Sequence, residues 1–203
     1  MKRFFILSAL VSALLLQSIP TALAGQVQVK MITTLGTIEL ELYQDKAPKS
    51  VANFLRYAKQ GLYDGTIFHR VMPNFMIQGG GYDQDMNKKS TFSPIINEAD
   101  NGLPNNVGTI AMARTSSPHS ASNQFFINTS TNSFLNHRGK SDGEWGYAVF
   151  GRVTHGMNVV RQIEAVQTGQ RNGMKNVPVM PVFIQQVKIT EWADTALPGP
   201  RKH

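Results

Sequence analysis

At 203 residues, with 41% hydrophobic and 16% charged residues, the chain is long enough to bury a sizeable core and too apolar for disorder. Its formal net charge is +7, or +5 without Lys2 and Arg3, and the remaining basic residues are scattered, among them Lys88-Lys89, Arg138, Lys140, Arg171, Lys175 and Arg201-Lys202. No basic patch alternates with exposed aromatics, which argues against a nucleic-acid partner. The absence of cysteine removes both disulfides and a lipid attachment site of the bacterial lipoprotein kind, so stability must come from the core alone.

Residues 1–24 read as a secretory signal peptide. Lys2 and Arg3 precede an apolar run from Phe4 to Leu16, and Ala22-Leu23-Ala24 offers a small-x-small cleavage site before Gly25. The run is short for a membrane span; a retained anchor is the alternative. Export agrees with the lack of a nucleic-acid signature, and the charge is read as aiding solubility, with loose attraction to anionic membrane surfaces as its alternative.

The domain proper is expected at 25–192. Val27, Val29 and Met31 alternate with polar residues, Thr34-Leu35-Gly36-Thr37 forms a turn, and Ile38, Leu40 and Leu42 alternate again, which predicts an opening hairpin. Val51, Phe54, Leu55 and Ala58 make a helical stripe that starts after Pro48 and stops before Gly61. Strand-length apolar runs follow at Ile67-Phe68, 75–77, 108–113, 124–127 and 147–150. A second helical stripe, Val159, Val160, Ile163 and Val166, follows Gly156, and a last alternating strand ends near Trp192. Residues 193–203, with two prolines and a glycine, read as a short flexible tail. Many strands with two separated helices predict an all-β, closed antiparallel barrel whose open ends the helices plug.

Chemistry concentrates in Phe68-His69-Arg70-Val71-Met72-Pro73-Asn74-Phe75-Met76-Ile77-Gln78-Gly79-Gly80. A guanidinium inside an apolar run is costly because it stays charged, so Arg70 either pairs with a structural acid or serves a ligand. Gln78 offers it a neutral partner that leaves its positive field free. Asn123-Gln124-Phe125-Phe126-Ile127-Asn128 repeats the theme of an amide beside aromatics. In an extended strand Phe125 and Phe126 face opposite ways, and Phe126 shares the face of Gln124, the face expected to bind. By the same alternation His69 should point away from Arg70. Such a surface suits a greasy ring with an amide beside it, the shape of a prolyl peptide.

Other constellations fail on spacing. The histidines show no HxxH or HExxH pattern, so no metal site is expected. Gly79-Gly80-Gly81 is followed by acids instead of a helix start, so a tight turn or bulge is the better account than a phosphate loop. Ser116-Ser117 with His119 and Asp100 lacks a nucleophile elbow; a hydrolase there is the weakest reading.

The ordered blocks carry a family resemblance. The Phe68–Gly80 segment, Gly108-Thr109-Ile110-Ala111-Met112-Ala113, Asn123–Ile127 and Val149-Phe150-Gly151-Arg152-Val153 resemble the cyclophilins, peptidyl-prolyl cis-trans isomerases, and most resemble their exported Gram-negative members. The resemblance implies an eight-stranded antiparallel barrel with two capping helices and a groove on its outer face. It puts the catalytic arginine on Arg70 and the proline pocket on Phe75, Met76, Phe126 and Leu135. Gln78 and Gln124 take the amide positions, and Ala113, Arg114 and Thr115 the peptide-lining strand. Phe134 stands where many eukaryotic members carry tryptophan and Tyr147 where they carry histidine, which removes the indole expected to anchor cyclosporin; Trp145 is the one nearby substitute. The implied partners are proline-containing polypeptides of the cell envelope, acted on in the periplasm by a monomer without cofactor. A peptide-binding chaperone using the same groove is the rival reading.

Overall fold

The alternation at the start of the chain becomes a hairpin of β1 (Val27–Thr33) and β2 (Gly36–Leu42), paired from Val27 opposite Leu42 to Thr33 opposite Gly36. The computed structural model describes residues 27–192, so the signal peptide expected at 1–24 and the tail expected at 193–203 lie outside the described residues. After the hairpin come α1 (Pro48–Lys59), β3 (Thr66–Met72), β4 (Met76–Gly79), β5 (Thr109–Met112), β6 (Phe125–Asn128), β7 (Val149–His155), α2 (Met157–Glu164), β8 (Thr168–Arg171), β9 (Met174–Pro178) and β10 (Phe183–Trp192). Eight strands close a barrel in the order β1-β10-β3-β4-β6-β5-β7-β2, every pair antiparallel, so no barrel edge is left unpaired.

The barrel interior is packed, not hollow. Val29, Met31, Ile38, Leu40, Phe68, Ile77, Phe125 and Phe150 point into it, and the stripes of both helices join the same cluster through Phe54, Leu55, Val160 and Ile163. Pro48 fits the first turn of α1, where its missing N–H costs nothing. That turn has no acidic residue of its own; Glu98 reaches it from elsewhere in the chain, accepting from the N–H groups of Lys49 at 3.0 Å and Ser50 at 2.8 Å. Since the interior is full, a ligand must bind on the outside.

Two features escape the strand alternation. β8 and β9 form a separate hairpin over the outside of β3, where Met174 and Val177 pack on Ile67, Met86 and Phe183. The second is a bulge in β3: Phe68 pairs with Gly79 and Arg70 with Gln78, leaving His69 as the extra residue. The expectation that His69 faces away from Arg70 is therefore corrected. Phe68 and Val71 both enter the interior cluster, and the two residues between them both lie off it.

Candidate active site

The bulge delivers Arg70 to the barrel's outer face, half-buried. Its Nη1 donates to Oε1 of Gln78 at 3.3 Å and its Nη2 to the thioether of Met72 at 3.1 Å. No carboxylate forms an ion pair with it among the described residues. Gln78 donates through Nε2 to Oε1 of Gln124 at 2.9 Å. Because a guanidinium only donates, it fixes the orientation of both amides in turn. Gly81 lies flat beneath Gln124; a Cβ there would fall 2.5 Å from its Cγ. The triple glycine thus serves close packing in a turn, Gly80 having φ +83°.

Beside the guanidinium is a cavity of about 290 Å³ on the outside of the barrel. Met76 from β4, Ala111 from β5, Phe126 from β6, Val149 from β7 and Leu135 form its buried apolar cluster, with Phe75, Ala113 and Tyr147 packed around it. Phe134 stacks on Phe75 with centroids 5.7 Å apart and is 62% exposed, so it forms a rim. Tyr147 meets Phe126 edge-on at 5.7 Å. The cavity lining brings together Arg70, Phe75, Met76, Gln78, Ala113, Arg114, Phe126, Phe134, Leu135 and Tyr147. Gln124 and Thr115 instead line an adjoining polar groove, with Lys88, Ser120 and Ser122. The two depressions share Gln78, Ala113 and Arg114, so they are continuous past the arginine.

The expected strand at Ala113, Arg114 and Thr115 is corrected: β5 stops at Met112, and of these three only Ala113 keeps a backbone bond to the neighbouring segment among the described residues, its N–H to the Gln124 carbonyl at 3.0 Å. Arg114 holds the loop that follows. It donates to the carbonyls of Gly146 and Thr115, both at 2.9 Å, and lies 4.7 Å over the Tyr147 ring. The two arginines of the cavity therefore differ in kind, one spent on backbone carbonyls and one held by weak neutral acceptors. Trp145 sits between the rings of His119 and His137, outside the cavity lining, so the indole does not take Phe134's place. The hydrolase arrangement also fails. The His119 Nδ1 accepts from the backbone of Asn97 at 3.1 Å, and no hydrogen bond joins it to Ser116 or Ser117 among the described residues.

Residues that the sequence did not mark hold the walls. Asn132, buried, donates to the Phe75 carbonyl at 2.9 Å and to Oδ1 of Asn128 at 2.7 Å. Asn105 ties the segment carrying Leu135 to that of Tyr147 by donating to both carbonyls at 3.3 Å. A cluster of asparagines between strand-length runs is the only sequence sign of them, and it reads equally as turns. His69 is 1% exposed beneath the site, with Tyr82 against its ring at 4.6 Å. Burial pushes its pKa down to about 4, so it is neutral around pH 7. Burial pushes the Glu164 carboxyl up, but the Thr129 side chain, Arg161 and the Asn74 backbone together outweigh it and leave it below the ordinary glutamate value.

This site has a cation, aligned amides and an apolar cavity, and among the described residues no cluster of metal-ligating side chains. It is equipped to hold an apolar ring and to polarise an atom beside it. Residues 28–189 match the family of cyclophilin type peptidyl-prolyl cis-trans isomerases/CLD. Similar curated proteins include peptidyl-prolyl cis-trans isomerase cyp18 of Streptomyces antibioticus, 58% identical over 79% of this chain and 97% of that protein. Peptidyl-prolyl cis-trans isomerase A of Dickeya dadantii is 51% identical over 91% of this chain and 96% of its own length. Among solved structures, a Cryptosporidium parvum cyclophilin type isomerase in the presence of the dipeptide ala-pro matches with a TM-score of 0.65 at 26% identity, over 81% of this chain and 99% of that one. The chain belongs to the cyclophilin-type peptidyl-prolyl cis-trans isomerases.

Proposed function

We propose that this isomerase accelerates the folding of exported proteins, and that Arg70 does so by stabilising the twisted Xaa-Pro amide. Resonance makes rotation about the amide bond cost about 18–20 kcal/mol, and uncatalysed prolyl flips take tens to hundreds of seconds. Twisting the bond localises a lone pair on the prolyl nitrogen. A donor aimed at that nitrogen binds the twisted state better than either planar isomer, which is what catalysis requires. The proline ring sits among Phe75, Met76, Phe126 and Leu135, with Phe134 and Tyr147 at its edges. Gln78 and Gln124 hold the flanking peptide, which runs past Ala113, Arg114 and Thr115. A charge-assisted hydrogen bond of ~3 kcal/mol is worth roughly a hundredfold in rate, so desolvation and orientation supply the remainder.

The observation that carries this reading is the state of Arg70: half-buried at the edge of an apolar cavity, with an amide and a thioether as its partners. Simple seating of a ring needs no guanidinium. The leader-like pattern at 1–24 supports export to the periplasm, and a chain found uncleaved in the cytoplasm would count against that part. The activity is tested by exchange between the cis and trans NMR signals of a short Ala-Pro-Phe peptide. Catalysis by wild type should fall by about a hundredfold or more in Arg70→Ala. A folded wild type that binds the peptide without speeding exchange would make the protein a proline-recognition module instead.

A further inference from the structure

The wall residue Phe75 leaves a turn that could adopt two shapes, and a helix distant in sequence selects between them. Phe75 N–H donates to the Met72 carbonyl at 3.2 Å, closing a four-residue turn with Pro73 and Asn74 at its centre. Proline fixes φ near −65° at the first central position, and Asn74 has φ +58°. Proline followed by a positive φ is a type II turn; the same proline is equally compatible with type I, in which the second residue has φ near −90°. The two differ by a flip of the Pro73–Asn74 peptide, which turns the Asn74 N–H to the opposite side. Asparagine tolerates the left-handed region better than other non-glycine residues but less well than glycine, so a partner that binds only the type II state still shifts the balance.

That partner comes from α2. Oε1 of Glu164 accepts from the Asn74 N–H at 2.7 Å, while its Oε2 is held by Arg161 at 2.8 Å. Glu164 is 9% exposed, which strengthens the bond over one in open water. It can be made only while the turn is type II. On the other side of Phe75, its carbonyl accepts from the Thr129 N–H at 3.0 Å and from Asn132 at 2.9 Å. Flipping the peptide turns ψ of Pro73 and φ of Asn74 in largely compensating senses, and the part that does not cancel tilts the entry of the chain into Phe75. The Phe75 ring stacks on Phe134 and lies 5.8 Å from the Arg70 guanidinium, so the tilt reaches both the rim and the cation.

We infer that Glu164 is a positioning residue for this site: its carboxylate holds the Pro73–Asn74 turn in the type II state and so keeps Phe75 in place as the wall of the prolyl pocket. The inference rests on the proposed use of that pocket as the proline seat. Phe75 contacts the ring in planar and twisted states alike, so losing its placement should raise KM and spare kcat.

The test measures KM and kcat for the Ala-Pro-Phe peptide in wild type, Glu164→Leu, and Glu164→Leu combined with Asn74→Gly. Glycine at the second central position favours type II by itself. Removing the charged acceptor should raise KM about tenfold with kcat little changed, and the glycine should restore most of it. A merely structural role for α2 would not be repaired by a glycine in a distant turn. A KM unchanged in Glu164→Leu, or a rise that Asn74→Gly leaves in place, overturns the inference. Should Glu164→Leu not fold, hydrogen exchange in wild type decides: the Asn74 amide in its exposed turn must be protected, and an unprotected amide overturns the inference. Arg70→Ala in the same assay keeps the two readings apart, since the loss of kcat there tests the catalytic role and says nothing of the turn.

Discussion

Phe125 and Phe126 are adjacent, identical side chains in one strand, yet they belong to two different apolar clusters. Phe125 is fully buried inside the barrel and meets Phe54, Tyr63 and Phe68 edge-on at 5.6, 5.5 and 6.4 Å. Phe126 points outward, beside Met76, Ala111, Leu135 and Val149. The inner cluster closes on all sides; the outer one lacks a side chain where the cavity lies, and the guanidinium stands at that gap. The candidate site is a second apolar core left incomplete next to a cation. Its walls are fixed by buried amides instead of by the surrounding apolar packing that fixes the first.

Truncating the two rings gives the sharpest contrast. Phe125→Ala should cost about 3–5 kcal/mol of stability, since the rigid interior cannot collapse on the void. Its folded fraction should retain the catalysis of wild type. Phe126→Ala should cost less, about 2 kcal/mol, because the enlarged cavity opens to water, while the folded protein loses peptide affinity. Urea unfolding paired with activity measured well below each midpoint reads both. Equal activity losses per folded molecule would erase the distinction.

The next effect separates stability from catalysis by pH. His69 is buried neutral, with a pKa depressed to about 4 from an unfolded value of 6.5. Above pH 6.5 neither state binds the proton and the histidine costs nothing. Below it the unfolded chain protonates first, so stability falls as pH drops from 6.5 toward 4, by up to about 3 kcal/mol in total. Urea midpoints across that range should slope less in His69→Gln; equal slopes would mean that the ring is not held neutral. The smallest effect expected is none at all. With His69 neutral and a guanidinium that does not titrate, kcat/KM should be nearly flat from about pH 6 to pH 9. A bell-shaped profile would point to a general acid or base instead.

The sequence exposed what repeats at short range. Alternation marked the β1–β2 hairpin, the 3.6-residue stripes marked both helices, and the Phe68–Gly80 run placed a cation among apolar residues before any contact was known. It hid what depends on register and on partners far along the chain. The bulge at His69 arises from how β3 meets β4, and simple alternation put that histidine on the wrong face. The β8–β9 hairpin has mostly exposed residues and little alternation; its one signal was Asn172-Gly173, whose φ values of +48° and +78° make a type I′ turn. Asn132 and Glu164 reach the site from segments with no motif of their own, Glu164 bonding a residue 90 positions away.

In the proposed mechanism Arg70 binds the twisted amide and not the planar ones. The most direct measurement is the cis–trans exchange rate of the Ala-Pro-Phe peptide while bound, at saturating protein, together with its affinity, in wild type and Arg70→Ala. Arg70→Ala should keep an affinity within about threefold of wild type while its on-enzyme exchange slows by about a hundredfold or more. Exchange that stays fast while affinity drops in proportion to the lost activity would make Arg70 a binding group only, and would contradict that mechanism.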